Sequence, residues 1–248
     1  MARQSAKKAK EHRSLLANEL LKMEQLLSQH CSICRNPGVI RSAVNSLLAD
    51  AKQNTSTWEY KVSGLLFEVP KPKNTLPSFI PNQLDISLDV NAAGEFDCQF
   101  HDPFTSLAVN IRVAAKANNR EHIEAWHLDR HEDGGNPPEC AHPLYHIQRG
   151  GRVMKHIQND VGLTMIVDPP RLAHPPIEVI LGIDYVLSQY AGKFWQALRT
   201  KPEYLRLVGD LQKRLWQGYT ATCAVHFDPP PGYDVKVPPA LQPTFATL

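Results

Sequence analysis

Histidine is concentrated in one part of the sequence, because six of the 11 histidines lie between residues 120 and 156. In a β-strand, alternate side chains share a face, so His127, Asp129 and His131 would project together. A second group follows the Gly-Gly-Asn-Pro-Pro connection, where His142 and His146 are an even number of residues apart and would project from the same face of a strand. If the two segments pair as neighbouring strands, four histidines and one carboxylate converge on a single patch of sheet.

Three interpretations of this patch stay open. Imidazoles beside an ordering carboxylate suit general acid–base catalysis, with His127 and His146 as the acid–base pair and Asp129 orienting a ring. The same groups suit a divalent zinc, manganese or iron ion, with ligands drawn from His127, Asp129, His142 and His146. In the third interpretation, His127 and Asp129 only hydrogen-bond each other and the other histidines are solvated.

Three arginines near the histidines are candidate substrate-binding residues. Arg149 and Arg152 flank a Gly-Gly pair, where the backbone can approach a ligand closely, and Arg171 follows Pro169-Pro170. Arginine holds phosphate bidentately, and a following helix N-terminus adds amide donors. The alternative is that these arginines pair with Asp160, Asp168 or Glu178.

Several common catalytic motifs are missing from the sequence: it has no Walker loop, no GxGxxG, no HExxH and no Gly-x-Ser-x-Gly. P-loop hydrolysis, dinucleotide redox chemistry and serine-esterase chemistry are therefore disfavoured. Cys31-x-x-Cys34 is a lone pair, which favours a helix-terminating turn over a zinc site. Five cysteines in a chain of this length are typical of reduced, structural thiols.

The charge of the chain is unevenly distributed. Five basic residues against Glu11 give residues 1–13 a net charge of +4, so the rest of the +2 chain carries −2. This excludes a body that coats nucleic acid by bulk charge. No apolar run reaches the roughly 18 residues of a membrane span, and the basic start lacks the pattern of a signal peptide. The sequence thus predicts a soluble, cytoplasmic protein of bacterial type that needs no membrane.

Hydrophobic periodicity predicts an α+β fold. Apolar residues at helical spacing predict helices over 7–29, 39–53, 177–190 and 202–219. Alternation and turn signals predict strands over 60–67, 84–90, 96–100, 107–115, 122–131 and 144–148, with a further apolar run over 163–167. Short turns between consecutive strands imply an antiparallel meander, with C-terminal helices packed on one face.

This organisation divides the chain into three parts. Residues 1–56 are predicted as a helical hairpin with a basic lead-in, and residues 57–227 as the α+β main domain with the His-rich hairpin. Residues 228–248 contain six prolines and are predicted as an extended tail.

One stretch of the chain, roughly residues 120–190, resembles TumE-type toxins and related uncharacterised bacterial toxin–antitoxin and phage-defence families. The matching residues are Trp126 with Asp129, His142-Pro143 with His146, and Arg171 with Pro175. The N-terminal hairpin and the greater length depart from that pattern. The resemblance implies an antiparallel α+β core with a histidine-rich face that acts on nucleic acid.

The leading hypothesis is therefore a toxin or phage-defence effector that cleaves phosphodiesters in RNA or DNA, with or without a divalent metal. A protein partner, such as a cognate antitoxin or defence subunit, is expected. The alternative is a non-catalytic interaction subunit of such a complex, suggested by the amphipathic N-terminal helix and the proline-rich tail. A third hypothesis is a metal-binding sensor without turnover.

Overall fold

The computed structural model describes residues 2–50, 55–72, 81–117, 120–131, 141–150, 171–232 and 237–244. A long helix, α1 (Ala2–His30), is followed by a 3-10 turn (Pro37–Val39) and α2 (Ile40–Asp50). Six strands follow: β1 (Thr57–Pro70), β2 (Gln83–Glu95), β3 (Ser106–Ala117), β4 (Arg120–Arg130), β5 (Tyr145–Arg149) and β6 (Leu172–Ala173). The remaining helices are α3 (Val179–Tyr190), α4 (Gly192–Arg199), α5 (Pro202–Val225) and α6 (Val237–Leu241).

The strands form one antiparallel sheet in the order β1-β2-β3-β4-β5-β6. The predicted α+β meander with an N-terminal helix pair and C-terminal helices is confirmed. Alternation explains the two faces of the sheet, because apolar positions of each strand share one face with the helices. On that face, α3 packs through Gly182 onto the side chains of Leu88 and Val109.

The connection between α1 and α2 covers part of the free edge of the sheet at β1. Glu68 donates its amide to the Ile33 carbonyl at 2.9 Å, and Arg35 donates to the Leu66 carbonyl at 2.9 Å. These bonds occupy backbone groups that an edge strand would otherwise leave available for pairing with another chain. A bulge between Val62 and Leu65, where Gly64 has a φ of +66°, keeps the apolar side chains of β1 facing inward.

Three local predictions differ from the structure. Residues 96–100 form a turn rather than a strand, because the Phe100 backbone lies against Gly218 of α5 instead of pairing with a strand. Helix α4 was not predicted. Residues 237–241 of the proline-rich tail are helical rather than extended: prolines are tolerated in a first helical turn, and Leu241 is fully buried. The predicted run over 163–167 lies outside the described residues.

One basic residue of the lead-in belongs to the core. Arg13 is 1% exposed, and its guanidinium donates to the carbonyls of Thr55 and Thr57 and to the Thr55 hydroxyl at 2.6 Å. These bonds join α1 to the start of β1. Arg13 therefore stabilises the fold and does not contribute to a basic surface for partners.

We expect Arg13→Ala to lower the free energy of unfolding by about 2–3 kcal/mol, because the carbonyls of Thr55 and Thr57 lose a charged donor. The matched control is Lys10→Ala, which removes the same charge from an exposed position of the same helix. Urea unfolding of both variants measures the difference, and equal stabilities would contradict this role of Arg13.

A buried carboxyl group begins α3. Glu178 accepts from the Ile180 and Leu181 amides at 2.8 and 3.2 Å and from the Tyr60 hydroxyl at 2.9 Å. Burial raises the pKa of Glu178 to about 7, against the lowering effect of these donors and of Arg214. The folded chain thus holds a proton that the unfolded chain, with a pKa near 4.5, releases earlier.

This carboxyl group should make stability fall by about 3 kcal/mol as the pH rises from about 4.5 to above 7, because the folded state then loses its proton. We expect Glu178→Gln to remove this decline. Glu203→Gln is the control, since Glu203 is an exposed carboxylate in the first turn of α5. Urea unfolding across this pH range tests it, and parallel wild-type and Glu178→Gln profiles would refute it.

Candidate functional site

The pairing of β4 with β5 brings the histidines together. The antiparallel register sets Asp129 opposite His146 and His127 opposite Gln148. Leu128 pairs with Val109 and so belongs to the helix-covered face. Because neighbouring side chains alternate, His127, Asp129 and His146 project from the other face of the sheet. The convergence predicted from the sequence is thus present.

Asp129 is the centre of this cluster. Its Oδ1 lies 3.0 Å from His146 Nε2 and 3.9 Å from His127 Nε2. The three potential ligand atoms all lie within 4.8 Å of one another. In a tetrahedral zinc site, neighbouring ligand atoms are about 3.3 Å apart, so these separations require only small side-chain movements to coordinate one ion.

The carboxylate oxygen at the centre contacts two imidazoles without a well-directed hydrogen bond. Asp129 Oδ1 is buried and receives no well-directed hydrogen bond from any described residue. His146 Nδ1 lies 3.3 Å from the Pro143 carbonyl, which can only accept, so Nδ1 is the donor there. The Nε2 of a neutral His146 then presents a lone pair to Asp129. Two acceptors at 3.0 Å call for a cation between them: a proton, which makes an ion pair, or a metal ion, which also recruits His127.

Electrostatics keep these groups in forms that bind cations. Burial alone would raise the pKa of Asp129, but the imidazoles of His146, His127 and His142 lower it further than burial raises it. Burial lowers the pKa of His127, helped by His146 and Arg171 and opposed by Asp129. Burial, His131, His146 and Arg171 lower the pKa of His142 to about 4.

His142 and His131 extend the cluster without joining its centre. The His142 ring centroid lies 4.6 Å from that of His146 and 3.8 Å from that of His131. All five residues predicted as catalytic therefore lie in one connected group. Of the four predicted metal ligands, the structure draws together His127, Asp129 and His146, while His142 packs against His146 as an outer neighbour.

The three arginines predicted to bind substrate differ in where they lie. Arg171 is close enough to His127 and His142 to lower the pKa of both rings. Arg149 is opposite Trp126 and so lies on the other face, where its Nε donates to Glu124 at 2.9 Å. This is the pairing that the alternative interpretation expected, with a different carboxylate. Arg152 lies outside the described residues.

A polar concavity of about 400 Å³ opens beside the cluster. Its walls include residues of the middle strands that sequence reasoning missed: Ser87, Asp89, Asn110 and Arg112. Strand register explains their position, since Asp89, Asn110, His127 and Gln148 form one row across four strands. The sequence did contain a signal for them, namely the polar residues that alternate with apolar residues in β2 and β3. The side chain of Arg112 is 41% exposed and contacts Glu121 at 3.2 Å.

The ligand types in this cluster are those found in catalytic metal sites. Two imidazoles and one carboxylate fill three positions and leave one or more open for water or substrate, as in catalytic zinc sites and non-haem iron sites. By contrast, burial raises the pKa of Cys31 and of Cys34, the latter to about 12, so this pair remains as thiols. The predicted turn is present at these cysteines, where the Cys34 amide donates to the Cys31 carbonyl at 3.0 Å.

Comparisons with known proteins give no relative for this chain: no family model, no curated protein and no solved structure matches it. The resemblance to TumE-type toxins stays a prediction. None of the helices in the described ranges combines the length and apolar character needed to cross a membrane. Any assignment of activity therefore depends on the geometry of the site.

We expect the wild-type chain to bind one zinc ion at this cluster. Asp129→Asn and His146→Ala should each weaken zinc binding by roughly a hundredfold or more, because each removes one of three ligands. Isothermal titration with zinc chloride measures the affinity. His122→Ala is the control, since His122 is an exposed histidine of the same strand. Unchanged affinity in both ligand variants would refute the assignment.

Proposed function

We propose that the chain is a metal-assisted phosphodiesterase that acts on nucleic acid as an effector of a bacterial toxin–antitoxin or phage-defence system in the cytoplasm. The observation that carries this proposal is the buried oxygen of Asp129, which lies 3.0 and 3.9 Å from two imidazole nitrogens beside an open polar concavity. A divalent ion held there supplies Lewis acidity toward a phosphate oxygen.

The surrounding residues supply the remaining functions of a phosphodiesterase. Arg112 lines the concavity and Arg171 lies near the imidazoles, so both are placed to attract a phosphate to the cluster. His142 is the imidazole that contacts His146 without belonging to the ligand set, which suits it to accept a proton from attacking water. Without a metal, His127 and His146 take the acid–base roles across Asp129, so chelation separates the two versions.

The features that suggested a non-catalytic interaction subunit have explanations within the chain. The apolar face of α1 is buried in the common core, where Leu20, Met23 and Leu27 are at most 2% exposed. Within the tail, Ala240 accepts the Leu144 amide at 2.9 Å. These contacts weaken that alternative for the described residues. A test for turnover separates the metal-binding sensor from the phosphodiesterase.

Fluorogenic RNA and single-stranded DNA oligonucleotides test the proposed activity with purified chain and added zinc or manganese. We expect cleavage that chelation abolishes and that His146→Ala and Asp129→Asn reduce at least a hundredfold, because the ion and its ligands act as a unit. His122→Ala should cleave normally. Metal binding without cleavage of either substrate would favour the sensor, and cleavage that survives chelation would favour the acid–base version.

The effector role needs a test in cells. Induced expression in bacteria should arrest growth and fragment RNA or DNA, whereas the His127→Ala/His146→Ala double variant at equal soluble abundance should do neither. Equal growth of both strains, in the absence of an inhibitor, would contradict a toxic effector. Equal arrest by both would mean that toxicity comes from another part of the chain.

A further inference from the structure

A second cavity lies on the helix-covered face of the sheet, away from the histidine cluster. It has a volume of about 520 Å³ and lies between α1, α5, β1 and the connection from β2 to β3. Its inner wall is apolar and is formed by buried residues, which include Leu16, Trp58, Phe104 and Leu215. Cavities of roughly 300–1,000 Å³ with such walls are typical of small-molecule sites.

His12 of α1 adds free hydrogen-bonding groups to the wall of this cavity. Its half-buried ring packs against the rings of Trp58 and Phe96, at centroid distances of 6.0 and 6.1 Å. Within the described ranges, the buried side-chain nitrogens and oxygens that lack a hydrogen bond are Trp58 Nε1 and Asp129 Oδ1. The nitrogens of His12 also form no hydrogen bond with a described residue, so they are open to solvent. A molecule in the cavity therefore meets the N–H of His12, whereas the N–H of Trp58 is closed off.

Arg214 of α5 contributes a second donor to the same cavity. Both of its terminal nitrogens donate to Glu19, at 2.9 and 2.7 Å. Its Nε has no acceptor among the described residues and is not buried. Arg214 is close enough to His12 to lower the pKa of the imidazole. The two side chains thus present neighbouring N–H groups to one ligand.

The charge around His12 is positive. Burial lowers the pKa of His12 to about 4, helped by Arg214 and by Arg13. Arg214 is balanced by Glu19, but the buried guanidinium of Arg13 donates to carbonyls and a hydroxyl and to no carboxylate in the described part of the chain. A buried cation without a counter-charge is costly, and an anion in the neighbouring cavity would offset that cost.

The carboxyl groups of the cavity do not cancel this charge. Glu178 already accepts from Tyr60 and from two backbone amides, and burial raises its pKa to about 7, so it is partly protonated at neutral pH. Asp210 and Lys213 are exposed at the rim and carry opposite charges. The cavity therefore combines apolar walls with two free N–H groups in a positive field, which favours an anion with an apolar body.

We propose that this cavity binds a small monocarboxylate with an apolar ring. The carboxylate accepts hydrogen bonds from His12 and from Nε of Arg214, and the ring lies against the apolar inner wall. The site is separate from the histidine cluster, and its existence does not depend on phosphodiesterase activity.

A matched pair of probes isolates the role of charge. Phenylpropanoate and phenylpropanamide have the same ring and chain, but only the first is an anion. Isothermal titration of the full-length chain at neutral pH and low salt measures both affinities. We expect the carboxylate to bind at least about tenfold more tightly than the amide, and added sodium chloride to reduce this preference. Equal affinities, or no binding of the carboxylate at millimolar concentration, would overturn the proposal.

A variant and a wild-type signal locate the bound carboxylate. His12→Phe keeps a ring in the wall but removes the N–H, so it should lower the affinity for phenylpropanoate about three- to tenfold. His30→Phe is the control, because it makes the same substitution at an exposed position of the same helix. In nuclear magnetic resonance of the wild-type chain, phenylpropanoate should shift the ring signals of His12 and leave those of His30 in place. Unchanged His12 signals at saturation, or full affinity in a folded His12→Phe variant, would overturn the proposed site.

Discussion

The register between β4 and β5 is the constraint on which the candidate site depends. It places Asp129 directly across from His146, and the alternation of side chains then adds His127 from the same strand. A shift of β5 by one residue would move His146 to the helix-covered face and separate it from Asp129 and His127. The buried residues Tyr145 and Ile147 resist such a shift, because both would lose their places in the core. The hydrophobic core therefore specifies the polar site behind it.

The sheet separates two kinds of chemistry. Its helix-covered face is closed by α1, α3 and α5 and contains an apolar cavity of about 520 Å³. Its other face has a row of polar side chains that runs from Asp89 to Gln148 and includes His127. Among the described residues, Asp129 Oδ1 on the second face is buried and contacts two imidazole nitrogens without a well-directed hydrogen bond. That arrangement calls for a cation.

Much of this arrangement follows from local sequence patterns. Alternation in the strands and helical spacing in residues 7–29 were sufficient for the α+β meander and for the common face of His127 and Asp129. The convergence of Asp129 with the histidines of the second segment also followed once the two segments were taken as neighbouring strands, whereas their register did not. These features depend on short-range periodicity, which a single sequence displays directly.

The features that were missed depend on contacts between distant residues. The polar walls at Asp89 and Asn110 required the register of β2 with β3, which no local pattern states. The departure of residues 96–100 from a strand comes from packing of Phe100 on Gly218, more than 100 positions away. Arg149 was predicted to lie beside the histidines, but its position opposite Trp126 puts it on the other face of the sheet. Arg13 belonged to a basic run in the sequence, yet its bonds to residues 55 and 57 bury it.

Anomalous diffraction from crystals grown with zinc tests the central claim most directly, because it locates the ion rather than its effect. The predicted result is a single strong peak about 2.0–2.2 Å from His127 Nε2, Asp129 Oδ1 and His146 Nε2 together. A peak that instead lies between His131 and His142, or the absence of any peak at Asp129 when zinc is bound elsewhere, would contradict the assignment.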